Sequence, residues 1–211
     1  MKRLSLFIGA LGILALAFLA CRPNIELRER FFEDGTPWSE IRLQAGVPHG
    51  LWKTWWENGK PRSQGNYLDG LREGPWAAWW ETGTRQSEGS YRTGEPHGAW
   101  QHWFGNGKPA SRGSYANGRR VGPWSEWFGN GTLRAEFAFV EGLQDGLVRR
   151  YWETGQAREE ATYIRGVREG PAKSFFEDGE LLIEGQYTQG KKSGTWIRYR
   201  RDGSVFSKEE H

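Results

Sequence analysis

The chain has 211 residues with 30 glycines, 13 tryptophans and a single cysteine, and its aromatic content of 15% is high beside an apolar content of 36%. Glycine and tryptophan at this level exclude a long helical bundle, aromatic richness excludes a disordered chain, and one cysteine excludes an intramolecular disulfide framework and a cysteine-rich zinc site. The formal charge of +3 shrinks on inspection: residues 1–20 hold two Lys/Arg and no Asp/Glu, so the rest carries 27 against 26, net +1, and gives no support to nucleic-acid binding.

The first predicted element is an export signal over residues 1–20. Lys2 and Arg3 precede the uncharged apolar run Leu4 to Ala20, a basic start followed by a short apolar stretch and a small residue. The run ends in Phe18-Leu19-Ala20-Cys21, which resembles the lipobox of bacterial lipoproteins, with Phe18 where leucine is usual. That resemblance implies lipidation of Cys21 and a lipid-anchored mature chain. An uncleaved anchor helix and an ordinary signal with a stray cysteine are the alternatives. Residues 21–25 then read as a short tether.

From residue 26 to residue 211 the chain repeats with a period of 24 residues. Gly50-Leu51-Trp52-Lys53-Thr54-Trp55-Trp56-Glu57-Asn58-Gly59 returns as Gly74-Pro75-Trp76-Ala77-Ala78-Trp79-Trp80-Glu81-Thr82-Gly83, and the first glycine recurs at Gly98, Gly122, Gly146, Gly170 and Gly194. Two further glycine series, from Gly35 to Gly203 and from Gly46 to Gly190, keep the same register, which gives eight units. In each unit a strand ending near Trp56 meets a turn such as Asn58-Gly59, where both residues are expected at positive φ. A second strand follows over about Arg62 to Tyr67, and Asp69-Gly70 begins the connection to the next unit. The predicted fold is all-β: an elongated, single-layer antiparallel solenoid of β-hairpins.

The pattern Tyr67-x-x-Gly70-x-x-x-Gly74-x-Trp76, then Trp79-Trp80-Glu81-x-Gly83, resembles the bacterial variant of MORN repeats found in YwqK-family antitoxins. His49-Gly50 and His97-Gly98 echo the His-Gly of such units, while tryptophan stands two residues after the glycine where Gly or Met is usual. The resemblance implies a non-catalytic scaffold that binds proteins or membranes, and it leaves room for a homodimer.

Alternation along a strand puts Trp52, Thr54 and Trp56 on one face and Lys53 and Trp55 on the other. The first face carries the columns of Trp52, Trp76, Trp100, Trp124 and Trp196, and of Trp56, Trp80 and Trp152. These rings are expected to be core, lying beside strand glycines such as Gly65 and Gly113, and they are also the candidate aromatic surface. Between the columns runs a strip that differs in every unit: Thr54, Ala78, His102, Glu126, Arg150, Ser174 and Arg198. An irregular strip on a regular scaffold is the candidate partner-reading surface. Val148 and Ala172 interrupt the tryptophan column where Phe137 and Ala161 replace the strand glycine, which predicts either compensating swaps between strands or a shallow pocket or bend near residues 145–175.

No constellation for catalysis emerges. His49, His97, His102 and His211 lack ligand spacing, and His49 and His97 are expected as solvated loop residues too far apart to share a metal. Glu33, Glu57, Glu81, Glu153 and Glu177 are expected as turn residues, not a glycosidase pair. No metal and no cofactor is expected. The leading expectation is a lipid-anchored repeat scaffold that binds a protein partner at the cell envelope, with Arg22 after the cysteine favouring the outer membrane of a two-membrane bacterium. An antitoxin or immunity protein and an envelope glycan-binding protein are the alternatives. Charges in Glu26 to Arg30 and Lys208 to Glu210 are expected to blunt the open sheet ends.

Overall fold

The computed structural model describes residues 24–211; the expected export signal over residues 1–20 and the expected lipidation site Cys21 lie outside the described residues. The described chain is a succession of strands: β1 (Ile25–Phe31), β2 (Pro37–Gln44), β3 (Val47–Trp55), β4 (Pro61–Leu68), β5 (Leu71–Trp79) and β6 (Arg85–Arg92). They continue as β7 (Glu95–Trp103), β8 (Pro109–Ala116), β9 (Arg119–Trp127), β10 (Leu133–Val140), β11 (Leu143–Gln144) and β12 (Gly146–Tyr151). The last five are β13 (Ala157–Ile164), β14 (Val167–Phe175), β15 (Leu181–Thr188), β16 (Lys191–Tyr199) and β17 (Val205–Glu210). Each pairs antiparallel with the next in chain order, and β11 and β12, both paired with β10, are one strand broken at Asp145. The result is one open all-β sheet of eight hairpins, as the period requires.

The two kinds of turn exchange roles relative to expectation. Trp55 pairs with Pro61, so the Asn58-Gly59 connection spans five residues and cannot be a two-residue loop. It closes through Gly59 N–H to Trp56 O and Trp56 N–H to Lys60 O, both 2.9 Å, and only Gly59 has positive φ. Asn58 serves through its side chain: Oδ1 accepts from Lys60 N–H at 3.0 Å, and Nδ2 donates to Glu81 O of the next hairpin at 2.9 Å. The tight two-residue turn sits instead at Asp69-Gly70, where Leu68 pairs with Leu71 and φ is 49° and 82°. Positive φ at both central residues matches the right-handed twist of the flanking strands. The same turn recurs at Thr93, Asn117, Glu141, Arg165 and Gln189, although left-handed backbone is costly for residues with a Cβ. A period of 24 and antiparallel pairing dictate the placement, not the intrinsic preference of the turn residues.

Between hairpins the pairing carries a bulge. Gln64 pairs with Ala77 and Asn66 with Glu73, so Gly65 alone faces Gly74-Pro75-Trp76. Gly74 takes φ of 71°, which re-aims the strand and lays Trp76 across its neighbour. A Cβ on Gly65 would fall inside the Trp76 indole. The indole N–H donates to Asn66 O at 3.2 Å, a carbonyl that sits at the bulge. Trp100, Trp124 and Trp196 repeat this bond to Ser90, Ser114 and Gln186. Trp56, Trp80 and Trp152 reach the other way, donating to Trp79 O, Trp103 O and Phe175 O of the following hairpin. Most neighbouring hairpins are thereby tied by a ring that also shields apolar surface, an exception being residues 120–141 and 144–165, where Phe128 and Val148 replace the indoles.

The core is this tryptophan layer on one face of the sheet. Trp76, Trp100, Trp124 and Trp196 are buried, and Tyr67, Tyr91 and Tyr115 meet them edge-on at centroid distances of 5.1–6.2 Å. Where the column is interrupted, Val148, Ala161 and Ala172 are themselves buried and pack with Tyr163 and Trp196, with Phe137 against them. The larger residue in the glycine slot is offset by the smaller one in the tryptophan slot, as expected.

Candidate functional site

Register places the strip in a wider row. On the aromatic face Thr54 stands opposite Ser63, Ser63 opposite Ala78, and Ala78 opposite Ser87, which continues to His102, Ser111 and Glu126. The row runs on through Ala135, Arg150, Glu159, Ser174, Ile183, Arg198 and Ser207. With Ser39 opposite Thr54 it takes one residue from each strand from β2 to β17, β11 and β12 counting as one, and runs roughly 65–70 Å at about 4.8 Å per strand. The sequence-predicted strip is thus half of a lane, and the second-strand series from Ser63 to Ser207 supplies the other half. That series was legible at the 24-residue period, but its alignment with the strip depends on the bulges.

The lane is not uniform. From Ser39 to Ser111 it is floored by small hydroxyl and methyl groups with one imidazole. Thr54 is buried and hydrogen-bonded to Ser63. His102 stacks on Trp100 at 5.9 Å, and burial together with the Arg120 charge pushes its pKa down, so it is neutral over a wider range. From Glu126 onward the lane acquires charge, with Glu126, Arg150, Glu159 and Arg198 set among Ala135, Ser174, Ile183 and Ser207. Glu159 accepts from Arg150 at 2.7 Å and also pairs with Arg168. Burial works against the Arg168 charge, but the Tyr163 hydroxyl, Glu159 and the Tyr187 hydroxyl outweigh it and raise its pKa.

The aromatic columns bound the lane differently on its two sides. Trp76, Trp100, Trp124 and Trp196 are buried, so they are its packed wall and not an open platform, while Trp52, Trp56, Trp80 and Trp152 are half-buried. Arginines cover several rings: Arg72 lies 4.7 Å from the Trp76 centroid, Arg120 4.5 Å from Trp124, Arg62 4.7 Å from Trp56 and Arg158 4.7 Å from Trp152. The opposite face carries Trp55 and its equivalents, such as Tyr151, whose hydroxyl donates to Glu136 at 2.9 Å, among polar pairs such as Arg149 with Glu160 and Lys173 with Glu184.

The two histidines differ from expectation. His49 and His97 lie within β3 and β7 and are half-buried, not solvated in loops, because the tight turn leaves no loop there. Their slot is occupied elsewhere by Glu73, Asp145 and Glu169, whose carboxylates accept the backbone N–H of the left-handed turn residues Thr93, Arg165 and Gln189 at 2.7–3.1 Å. Equivalence directs His49 towards Asp69 and His97 towards Asn117; His49 Nδ1 comes within 3.4 Å of the Asp69 carboxylate without a hydrogen bond, and His97 Nδ1 has no hydrogen-bond partner. His97→Glu is therefore expected to stabilise the protein by about 1 kcal/mol, read from the midpoint of urea unfolding; an unchanged midpoint would refute the turn-capping role of this slot. Glu33, Glu57, Glu81, Glu153 and Glu177 are exposed turn residues, as expected, and no metal-competent cluster occurs among the described residues.

The repeating unit now has a defined geometry: bulge glycine, tryptophan over the preceding strand, five-residue turn, return strand and left-handed two-residue turn. The MORN repeat variant matches residues 48–69, 96–117, 144–165 and 168–189, each stretch running from the start of a hairpin to its left-handed turn. The chain is a MORN-repeat protein. Its hairpins at residues 72–93 and 120–141 lie outside those matches but keep the same pairing register, so the MORN-type architecture spans the intervening units as well. No relative among curated proteins matches the chain.

Proposed function

We propose that this MORN-repeat protein is an exported binding scaffold, tethered through a lipid on Cys21 at the cell envelope, that docks a protein partner along the lane on its aromatic face. The observation that carries the reading is the lane itself: a continuous row, one residue per strand, whose composition changes from hydroxyl-lined to charged while the frame around it repeats. A solenoid holds such a row rigid because every hairpin is bonded to its neighbours, so recognition needs little ordering of the scaffold. The burial of Trp76, Trp100, Trp124 and Trp196 supports a protein partner over a glycan, since those indoles are already met by tyrosine edges and covered by Arg72, His102, Arg120 and Lys192 respectively, which closes them to sugar stacking.

The test uses the soluble form, residues 22–211, as bait against envelope extracts. A partner retained by the native chain is expected to lose at least tenfold in affinity when Glu126→Arg and Arg150→Glu are combined. It is expected to be unaffected when Lys173→Glu is made on the polar face. Equal loss from both faces, or none from either, would remove the lane as the docking surface.

A further inference from the structure

The charged half of the lane opens into a hollow of about 450 Å³, and its origin is a single small residue. In the row Glu126–Ala135–Arg150–Glu159, Ala135 is buried at 3% exposure between two long side chains, so the floor drops between them. Phe128 and Phe137 form apolar walls. Four arginines line the space: Arg134, Arg150, Arg158 and Arg168. Glu159 occupies both Arg150 and Arg168. Arg134 and Arg158 have no ion-pair partner among the described residues, and each is held at an aromatic ring, Arg134 over Phe128 at 5.9 Å and Arg158 over Trp152 at 4.7 Å. They occupy equivalent positions in adjacent hairpins, roughly 9–10 Å apart along the sheet, one on either side of the hollow.

We propose that this hollow is a binding site for an organic oxyanion, a carboxylate or phosphate carried on an apolar or ring-shaped body, with Arg134 and Arg158 as the anion clamp. A guanidinium fork matches the geometry of either oxyanion and bonds it bidentately. The apolar walls give the body of the ligand a surface that a free inorganic ion cannot use. The volume lies in the range of small-molecule sites, roughly 300–1,000 Å³. Glu126 stands at the rim with no ion-pair partner among the described residues and opposes an anion there, so it selects against the most highly charged ligands. The hollow shares its floor with the lane, but the clamp residues Arg134 and Arg158 lie outside it, so their exchange tests this site separately from docking along the lane.

The experiment is calorimetric titration of the full chain in non-ionic detergent with phthalate, phenyl phosphate and inorganic phosphate, with tryptophan fluorescence followed in parallel because Arg158 lies against Trp152. Saturable binding of phthalate or phenyl phosphate is expected, at least tenfold tighter than inorganic phosphate, and the tighter of the two identifies the carboxylate or phosphate source. Arg134→Gln with Arg158→Gln is expected to weaken it at least tenfold. Glu126→Gln is expected to tighten it about threefold. Arg62→Gln, which removes the same arginine–ring stack over Trp56 at a site without the hollow, is expected to leave it unchanged. Absence of binding by both organic probes, inorganic phosphate binding as tightly as they do, or equal loss in the Arg62→Gln variant would overturn the proposal.

Discussion

Trp124→Val is expected to destabilise the protein by about 3–5 kcal/mol, and Gly113→Phe by about 3 kcal/mol, while the two together cost about 3 kcal/mol less than the sum of the single changes. Trp124 is 2% exposed and its ring lies where a Gly113 Cβ would be. Truncating the ring leaves a cavity over a glycine, and enlarging the glycine drives a side chain into the ring. Combined, the new phenylalanine fills the space the indole vacates. The chain already contains this solution one unit later, where Phe137 takes the glycine slot and Val148, 1% exposed, takes the tryptophan slot. The coupling energy is expected to be about 3 kcal/mol, at the upper end for residues in contact. Urea unfolding followed by circular dichroism measures all three variants, and simple additivity would show that the ring and the glycine do not share one space.

Excision of one complete unit, residues 74–97, is expected to leave a folded sheet that melts only a few degrees lower. Removal of residues 74–98 is expected to abolish the cooperative transition. The first deletion joins Glu73 to Gly98, restores the bulge glycine, and lets Trp100 lie over Gly65 and donate to Asn66 O as Trp76 does. Each unit contacts only its neighbours, so one fewer unit lowers stability by little more than one unit's share. The longer deletion removes the bulge glycine and slips the remaining strands by one position, which sends every aromatic-face side chain to the polar face at that junction. Similar thermal melts from the two deletions would mean that register at the bulge does not govern this fold.

The hairpins were legible because a period of 24 with glycine, tryptophan and tyrosine at fixed offsets admits only a repeated local structure. The burial of the tryptophans against strand glycines was legible for the same reason, since no second layer exists to cover them. The character of the turns was not. Asn58-Gly59 has the better composition for a two-residue turn, yet Ala45-Gly46, Thr93-Gly94 and Arg165-Gly166 adopt it, because the number of residues between paired positions overrides turn preference. The spacing from Gly46 to Gly50 reads as a loop that would hold His49, but the two-residue turn at Ala45-Gly46 leaves His49 inside β3.

The candidate site was half legible. Thr54, Ala78, His102, Glu126, Arg150, Ser174 and Arg198 stood out as the variable column, but Ser63, Ala135 and Glu159 did not, because they belong to a different offset of the period. Periodicity alone determined that this is an all-β chain of repeated hairpins with tryptophan as its core. Only the tertiary structure decided which columns lie side by side, since each bulge inserts two residues into one strand and so resets which residue faces which. The lane, the Ala135 depression and the paired arginines beside it all follow from that reset, which depends on positive φ at the bulge glycine and on an indole laid across the preceding strand.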